Sequence, residues 1–336
     1  FKEEAIKHVG AKRENNAPFE EIVFNDVIPL YGQIDIVGSS TARNNAVKDD
    51  MIIQIDMLAK LYQNIYDETK LPVVKQNLYE LESLLQQFLT TISADSESNA
   101  MNFIFNDIHP SLEHFAKAND KLRAKIVTYF ESIDPKLKIV YKSRRDFDDT
   151  IAEINKSMAT ILDKKQEEAQ QFFPHYYERF KTDGVEHNLY IGASIAPKLK
   201  YSAVYLNNLK LWQLQVACEM ELEYARIKPT LKYDLEVASM LLVFSAPISI
   251  RFRMDEKRFD VDGTYNARYE VIKKRIDKSF MKGTQDRITK SGKITIVYSK
   301  QKRKKEYKKF IQLLHHEGLL DEEIEQLEKE DVQGGV

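Results

Sequence analysis

Glycine is scarce in this chain: it supplies 11 of 336 residues, and none lies between Gly38 and Gly184, against a usual share of about 7%. Such a gap argues against glycine-lined phosphate loops, two-residue hairpins and close-packed parallel crossovers in the first half, and it predicts helix there. Cysteine is scarcer still. Cys218 stands alone, so neither an internal disulfide nor a cysteine-rich zinc site can be built, and a reducing, cytoplasmic setting is expected. No apolar run approaches the ~20 residues a membrane span needs, so a membrane is not an expected partner. The opening Phe1-Lys2-Glu3-Glu4 lacks the pattern of a signal peptide. With no initiating Met, the chain is expected to be a piece of a longer protein, whose other domains are its expected partners.

Net charge is small, −2 overall, but unevenly placed. Residues 1–173 sum to −7 and residues 174–336 to +5; within the latter, residues 251–309 hold 20 basic side chains against 8 acidic, a local +12. A field of that size fits a partner carrying phosphate or carboxylate.

Inside the glycine gap, Pro72, Pro110, Pro135 and Pro174 divide the chain into four segments of helical length. Each carries an apolar stripe at the three-and-four spacing of one buried helix face. The first reads Met51, Ile55, Leu58, Tyr62, Ile65, and the second Val74, Leu78, Leu81, Leu85, Phe88, Ile92. The third runs Leu112, Phe115, Leu122, Ile126, Tyr129, Ile133, with Asn119 as a polar interruption suited to setting register. The fourth gives Val140, Phe147, Ile151, Ile154, Met158, Ile161 on a segment from Lys136 to Phe173, about 57 Å if helical throughout. The expected architecture is an extended, irregular lead-in over residues 1–40, then an antiparallel four-helix bundle over 41–173. Core packing explains every stripe; a sharper reading pairs the long fourth helix with its copy in a second chain, a homodimer of the kind that relays signals.

From Pro174 the pattern changes, with eight of the eleven glycines and the first period-two alternation. Ile248, Ile250, Phe252 and Met254 alternate with Ser249, Arg251, Arg253 and Asp255, a half-buried strand with two arginines on its open face. Met240–Phe244 and Ile294–Tyr298 read as central strands and His187–Ile191 as a weaker one. Helical patterns lie between them, at Tyr205, Leu209, Trp212, Val216 and Met220, then Tyr269, Ile272 and Ile276, then Phe310, Leu313 and Leu314. Residues 174–336 are thus expected to form a mixed α/β domain, with a basic face.

Three constellations bear on chemistry. Tyr31-Gly-Gln-Ile-Asp35-Ile-Val-Gly38-Ser-Ser-Thr41 resembles the metal-binding opening of class III nucleotide cyclases, where an aspartate holds the cations that activate a hydroxyl. The second aspartate that pattern needs, in a glycine-led hairpin some forty residues on, falls in the glycine gap, which favours Gly38 and the hydroxyls at 39–41 as a helix start. Next, Arg251, Arg253, Lys257, Arg258 and Lys274, with Lys273, Arg275 and Lys278 beside them, are placed to converge on one anion, since guanidinium forks bond phosphate or carboxylate bidentately; a solvated surface is the plainer account. Nucleic acid is the weaker expectation, because no reader motif is present and only Phe259 and Tyr265 interleave. Lys300–Lys309, with seven basic residues, is followed by eight acidic ones from Glu317 to Asp331, and the two runs are read as neutralising each other. Last, Asp260-Val-Asp262-Gly263 opens like a calcium loop but places Val271 where the glutamate belongs. The histidines form no ligand set, and His109, next to Pro110, sits at a helix boundary unlike a phosphoacceptor. No nucleophile with a base and an orienting partner can be named.

Pro29-Leu-Tyr-Gly-Gln-Ile-Asp-Ile-Val-Gly-Ser-Ser40, Pro174-His-Tyr-Tyr-Glu-Arg-Phe-Lys-Thr-Asp-Gly184 and Arg258-Phe-Asp-Val-Asp-Gly-Thr-Tyr-Asn266 resemble the large GAF domain-containing proteins of Bacteroidetes, over most of the chain. The resemblance implies a cytoplasmic sensory or regulatory role, with GAF domains generally binding small molecules such as cyclic nucleotides. The nucleotide-binding GAF signature is not met, since Phe252-Arg-Met-Asp255-Glu256 is one residue short in its spacer, and Cys218 reads as a buried thiol rather than a chromophore anchor. The chain is accordingly expected to be a non-enzymatic signalling or scaffold module, with an anionic small molecule or a protein as partner. No catalytic residue, metal site or cofactor is assigned. The alternative is a metal-dependent enzyme acting on a nucleotide or phosphate, with Asp35 holding the cation.

Overall fold

The computed structural model describes residues 22–90, 94–244, 246–253, 258–261, 276, 279–298, 300–321, 323–328 and 331–333. It is a mixed α/β chain that divides into two compact units, one of residues 38–150 and the other of residues 1–37 together with 151–336.

The first unit is helical. Helices α1 (Ser39–Thr69) and α2 (Pro72–Thr90) pack antiparallel across the two-residue break that Pro72 dictates. The stripe residues Met51, Ile55, Leu58, Tyr62 and Ile65 of α1 are fully buried, and Val74, Leu81 and Phe88 of α2 nearly so. Ile92 lies outside the described residues. The expected third helix is instead two pieces, and two further elements precede it: in chain order these are α3 (Ala94–Phe103), a π turn (Ile104–Ile108), α4 (His109–Ala118) and α5 (Asp120–Ser132). Pro110 sits in the first turn of α4, where its missing N–H costs least. Asn119 does not set register. Its side chain accepts from the N–H groups of Lys121 (2.9 Å) and Leu122 (3.4 Å), so it caps α5 and ends α4.

Polar side chains of α1 fix the loop that follows α5. Gln54 donates to the Tyr129 hydroxyl (3.0 Å) and accepts from Val140 N (3.0 Å). Asp50, with no exposed surface, accepts from the backbone N–H groups of Lys142 (3.1 Å), Ser143 (2.7 Å) and Arg144 (3.1 Å), and from Arg144 Nε (2.9 Å). Those three amides are orphan donors at the start of α6 (Ser143–Gln170). One carboxylate on a neighbouring helix does the work of an N-cap.

The fourth segment departs from expectation as well. Its helix begins at Ser143 rather than near Lys136, and from Ile151 onward it belongs to the second unit. Asn155 donates to Thr182 O (3.0 Å), Arg179 pairs with Asp163 (2.9 Å), and Lys165 pairs with Glu219 (2.8 Å). An apolar stripe reports that a face is buried but not against what, so the bundle reading of residues 41–173 assigned the right face to the wrong neighbours.

The larger correction concerns residues 1–40, expected as an irregular lead-in. Val23–Val37 form β1, a 15-residue strand at the centre of a sheet ordered β2 (Tyr176–Thr182), β3 (Gly184–Ile191), β1, β4 (Glu236–Val243), β8 (Ile294–Tyr298). β1 is antiparallel to β3 and β4, while β8 runs parallel to β4. Near Asp26, at φ 54°, its register shifts, and Val23, Phe24 and Val27 pair with β5 (Ile248–Arg253), which forms a hairpin with β6 (Arg258–Val261). The central strands are buried on both faces, which gives near-continuous apolar runs instead of alternation. A short pair, β7 (Phe280–Met281) with β9 (Val332–Gln333), lies apart. Helix α7 (Ala203–Ile227), capped by Ser202, and α8 (Gln301–His316) pack together, with Leu214, Cys218, Leu241, Tyr307 and Leu314 in one buried cluster. The helical pattern at Tyr269 and Ile272 lies outside the described residues.

Candidate anion-binding hairpin

Alternation along β5 and β6 sorts their side chains onto two faces. Ile250, Phe252, Phe259 and Val261 point into a cluster with Val27, Tyr176 and Tyr190. Phe259 is its hub, with ring centroids 5.0 Å from Tyr176, 5.2 Å from Phe24 and 5.2 Å from Phe252. This aromatic anchoring fixes which face turns outward.

On the outward face the register sets Arg251 opposite Asp260 and Arg253 opposite Arg258. Side chains directly opposite on antiparallel strands stand about 5 Å apart at Cβ, and like charges there are unfavourable by up to about 1 kcal/mol. Ser249, further along the same face, donates to Asn25 Oδ1 (2.9 Å) on β1. The hairpin thus gathers three guanidinium groups, one carboxylate and a serine on one face of the ladder, with Arg253 exposed and Arg251 and Arg258 half-buried. Two forks opposed across a ladder can clamp the oxygens of one phosphate or carboxylate from either side. Among the described residues of this face there is no imidazole or thiol to act as base or nucleophile.

Of the five residues singled out from the sequence, Arg251, Arg253 and Arg258 therefore share this face, while Lys257 and Lys274 lie outside the described residues, as do Lys273, Arg275 and Lys278. Asp260 belongs to β6, opposite Arg251; the rest of the calcium-like string falls outside the described residues. No family model matches the chain, and no curated protein or solved structure does.

Other chemistry-bearing residues are placed elsewhere. Asp35 stands in β1 between Gly184 of β3 and Ala238 of β4, and among the described residues no group of three or more His, Cys, Asp or Glu side chains is placed to hold a metal ion. His109 is buried, 2.9 Å from the Tyr129 hydroxyl, and burial pulls its pKa down to about 4. It is a neutral core histidine. Cys218 is buried on α7 and burial pushes its thiol up to about 12, so it is inert at neutral pH. Glu221, beside it on α7, accepts from Ser239 Oγ (2.6 Å), and burial raises its carboxyl above the ordinary range.

One pair went unread in the sequence. His187 of β3 lies directly opposite Gly32 of β1, and its ring covers the glycine so closely that a Cβ there would stand 2.4 Å from Cε1. Its Nε2 is 3.1 Å from Gln213 Nε2 of α7, and burial pulls its pKa down to about 3. The imidazole is therefore neutral and accepts the Gln213 N–H. The signal was a glycine inside a strand-like run, which marks close approach of another group.

Proposed function

We infer that this chain is a non-enzymatic regulatory or scaffold module whose β5–β6 hairpin holds an anionic small molecule. The observation that carries this reading is Arg253 set across the ladder from Arg258, with Arg251 next along the same face. Guanidinium forks bond phosphate or carboxylate oxygens bidentately, so three of them on one face of a ladder supply the donors such an anion needs. The rigid aromatic backing of the hairpin lowers the ordering cost of binding. A sensory role is what the resemblance to GAF domain-containing proteins implies for such a binding face.

The test is a thermal-shift panel of phosphorylated and carboxylated small molecules on the full chain. A binder present at a hundred times its Kd stabilises the folded state by about 2.7 kcal/mol. The expected result is a dose-dependent rise in Tm with at least one phosphorylated compound, absent from Arg251→Ala/Arg253→Ala. No rise across the panel, or a rise that survives the double substitution, would leave the face an ordinary solvated surface.

A further inference from the structure

Helix α8 carries a second basic surface, and among the described residues the acidic run after it makes no ion pair with its lysines. Lys302, Lys305, Lys308 and Lys309 are exposed, and at 100° per residue they fall on one arc of the helix with Gln312 and His316. None of the four, nor Lys304, has an ion-pair partner among the described residues, and Glu325 of the acidic run pairs with Lys293 instead (2.7 Å). The one acid on α8, Glu306, is engaged inward, binding Lys210 (3.0 Å) and Arg303 (2.8 Å).

The placement is also unfavourable within the helix itself. Its first turn has no acidic residue and its N-terminus no side-chain cap, so the lysines crowd the positive end of the macrodipole. Negative charge from outside would offset that. Three classes of polyanion carry such charge, and the chemistry of the face separates them. A membrane-surface helix needs a free apolar side to insert, whereas Tyr307, Phe310, Ile311 and Leu314 of α8 are committed to the core and Leu313 alone is an exposed apolar side chain on it. A protein interface draws on aromatic and arginine anchors and is depleted in lysine; here the exposed arc is lysine, glutamine and histidine. Lysine is a point charge without the planar fork that reads bases, and the arc has no aromatic ring to stack on unpaired ones.

We propose that the exposed lysine face of α8 docks the phosphate backbone of double-stranded nucleic acid, without reading its sequence. The absence of a reader motif, which argued against nucleic acid from the sequence, bears on base recognition and not on backbone contact. Lys302 to Lys309 spans about 10 Å of helix, enough to meet neighbouring phosphates along one groove edge. None of its residues belongs to the arginine hairpin.

The experiment is fluorescence anisotropy of the full chain with a labelled duplex of arbitrary sequence, across about 50 to 200 mM salt. Four phosphate contacts give a slope of log affinity on log salt of roughly −3 to −4, a loss of about a hundred-fold over that range. Lys302→Glu/Lys305→Glu/Lys309→Glu is expected to abolish binding, and the milder triple exchange to Gln to weaken it and flatten the slope, both with the parent's melting curve. Arg251→Ala/Arg253→Ala is expected to bind the duplex as the parent does, which separates this surface from the hairpin. The proposal is overturned by no binding at the lowest salt, by binding that survives the charge reversal, or by binding to phosphatidylserine vesicles or an acidic peptide with none to the duplex.

Discussion

Asp50→Ala is the sharpest probe of how the helical unit is built. The carboxylate is fully buried and accepts four hydrogen bonds, three from the opening amides of α6 and its approach and one from the Arg144 guanidinium. Removing one partner of a buried ion pair costs about 3–5 kcal/mol, and losing a helix N-cap alone costs about 1. The two overlap here, because Arg144 keeps a second acceptor in Val140 O (3.0 Å) and the exposed edge of its side chain can reach water. A loss of about 3–4 kcal/mol results, which is a fall in Tm of more than about 10 °C for a unit of this size. Asp50→Asn keeps one oxygen but turns an N–H toward a donor, so it should fall between the two. Circular dichroism melts at pH 7 with matched urea titrations give the values, and Arg144→Met closes a double-mutant cycle whose coupling should exceed about 1 kcal/mol. If Asp50→Ala stays within about 1 kcal/mol of the parent, the carboxylate does not organise the start of α6 and the reasoning fails.

Three further outcomes follow from the buried histidines, the covered glycine and the lone thiol. His109, lowered from 6.5 to about 4, and His187, lowered to about 3, are held neutral by burial; the unfolded chain takes up their protons first. Their contribution is complete above pH 6.5 and is lost as pH falls from 6.5 toward 4, by roughly 3 kcal/mol for His109 alone. Tm measured across that window should decline, with a shallower decline in His109→Gln; a flat profile contradicts the burial of these rings. Gly32→Ala forces a methyl onto His187 Cε1 and should destabilise by a few kcal/mol, partly relieved by His187→Ala in the same chain; an unchanged melting curve for Gly32→Ala refutes that contact. Cys218 should react with Ellman's reagent only after denaturant is added, and rapid labelling of the native protein would show α7 to be exposed at that point.

Local features were legible in the sequence and remote ones were not. The stripes of α1 and α2 and the alternation of Ile248 to Arg253 follow from spacing alone, and the described residues among them fall as the spacing requires. Strand β1 escaped because its partners begin at Gly184 and Glu236, far along the chain, and because a strand buried on both faces shows no alternation. Asn119 looked like a core position because a cap and a stripe residue can share the same spacing; only the broken helix tells them apart. Asp50 gave no sign at all, since a buried carboxylate and a solvated one look alike until the amides it serves are in view. At the hairpin, the paired arginines on β5 were readable, but that Arg258 would face Arg253 depends on a ladder register the sequence does not state.

The anion-binding reading stands most directly on those two arginines. Side-chain NMR of the full chain, labelled in arginine and titrated with inorganic pyrophosphate, should move the Nε–H signals of Arg253 and Arg258 together and to saturation, with Arg258 unmoved in Arg253→Ala. Signals that stay fixed through millimolar pyrophosphate, or that drift without saturating alongside every other exposed arginine, would contradict it.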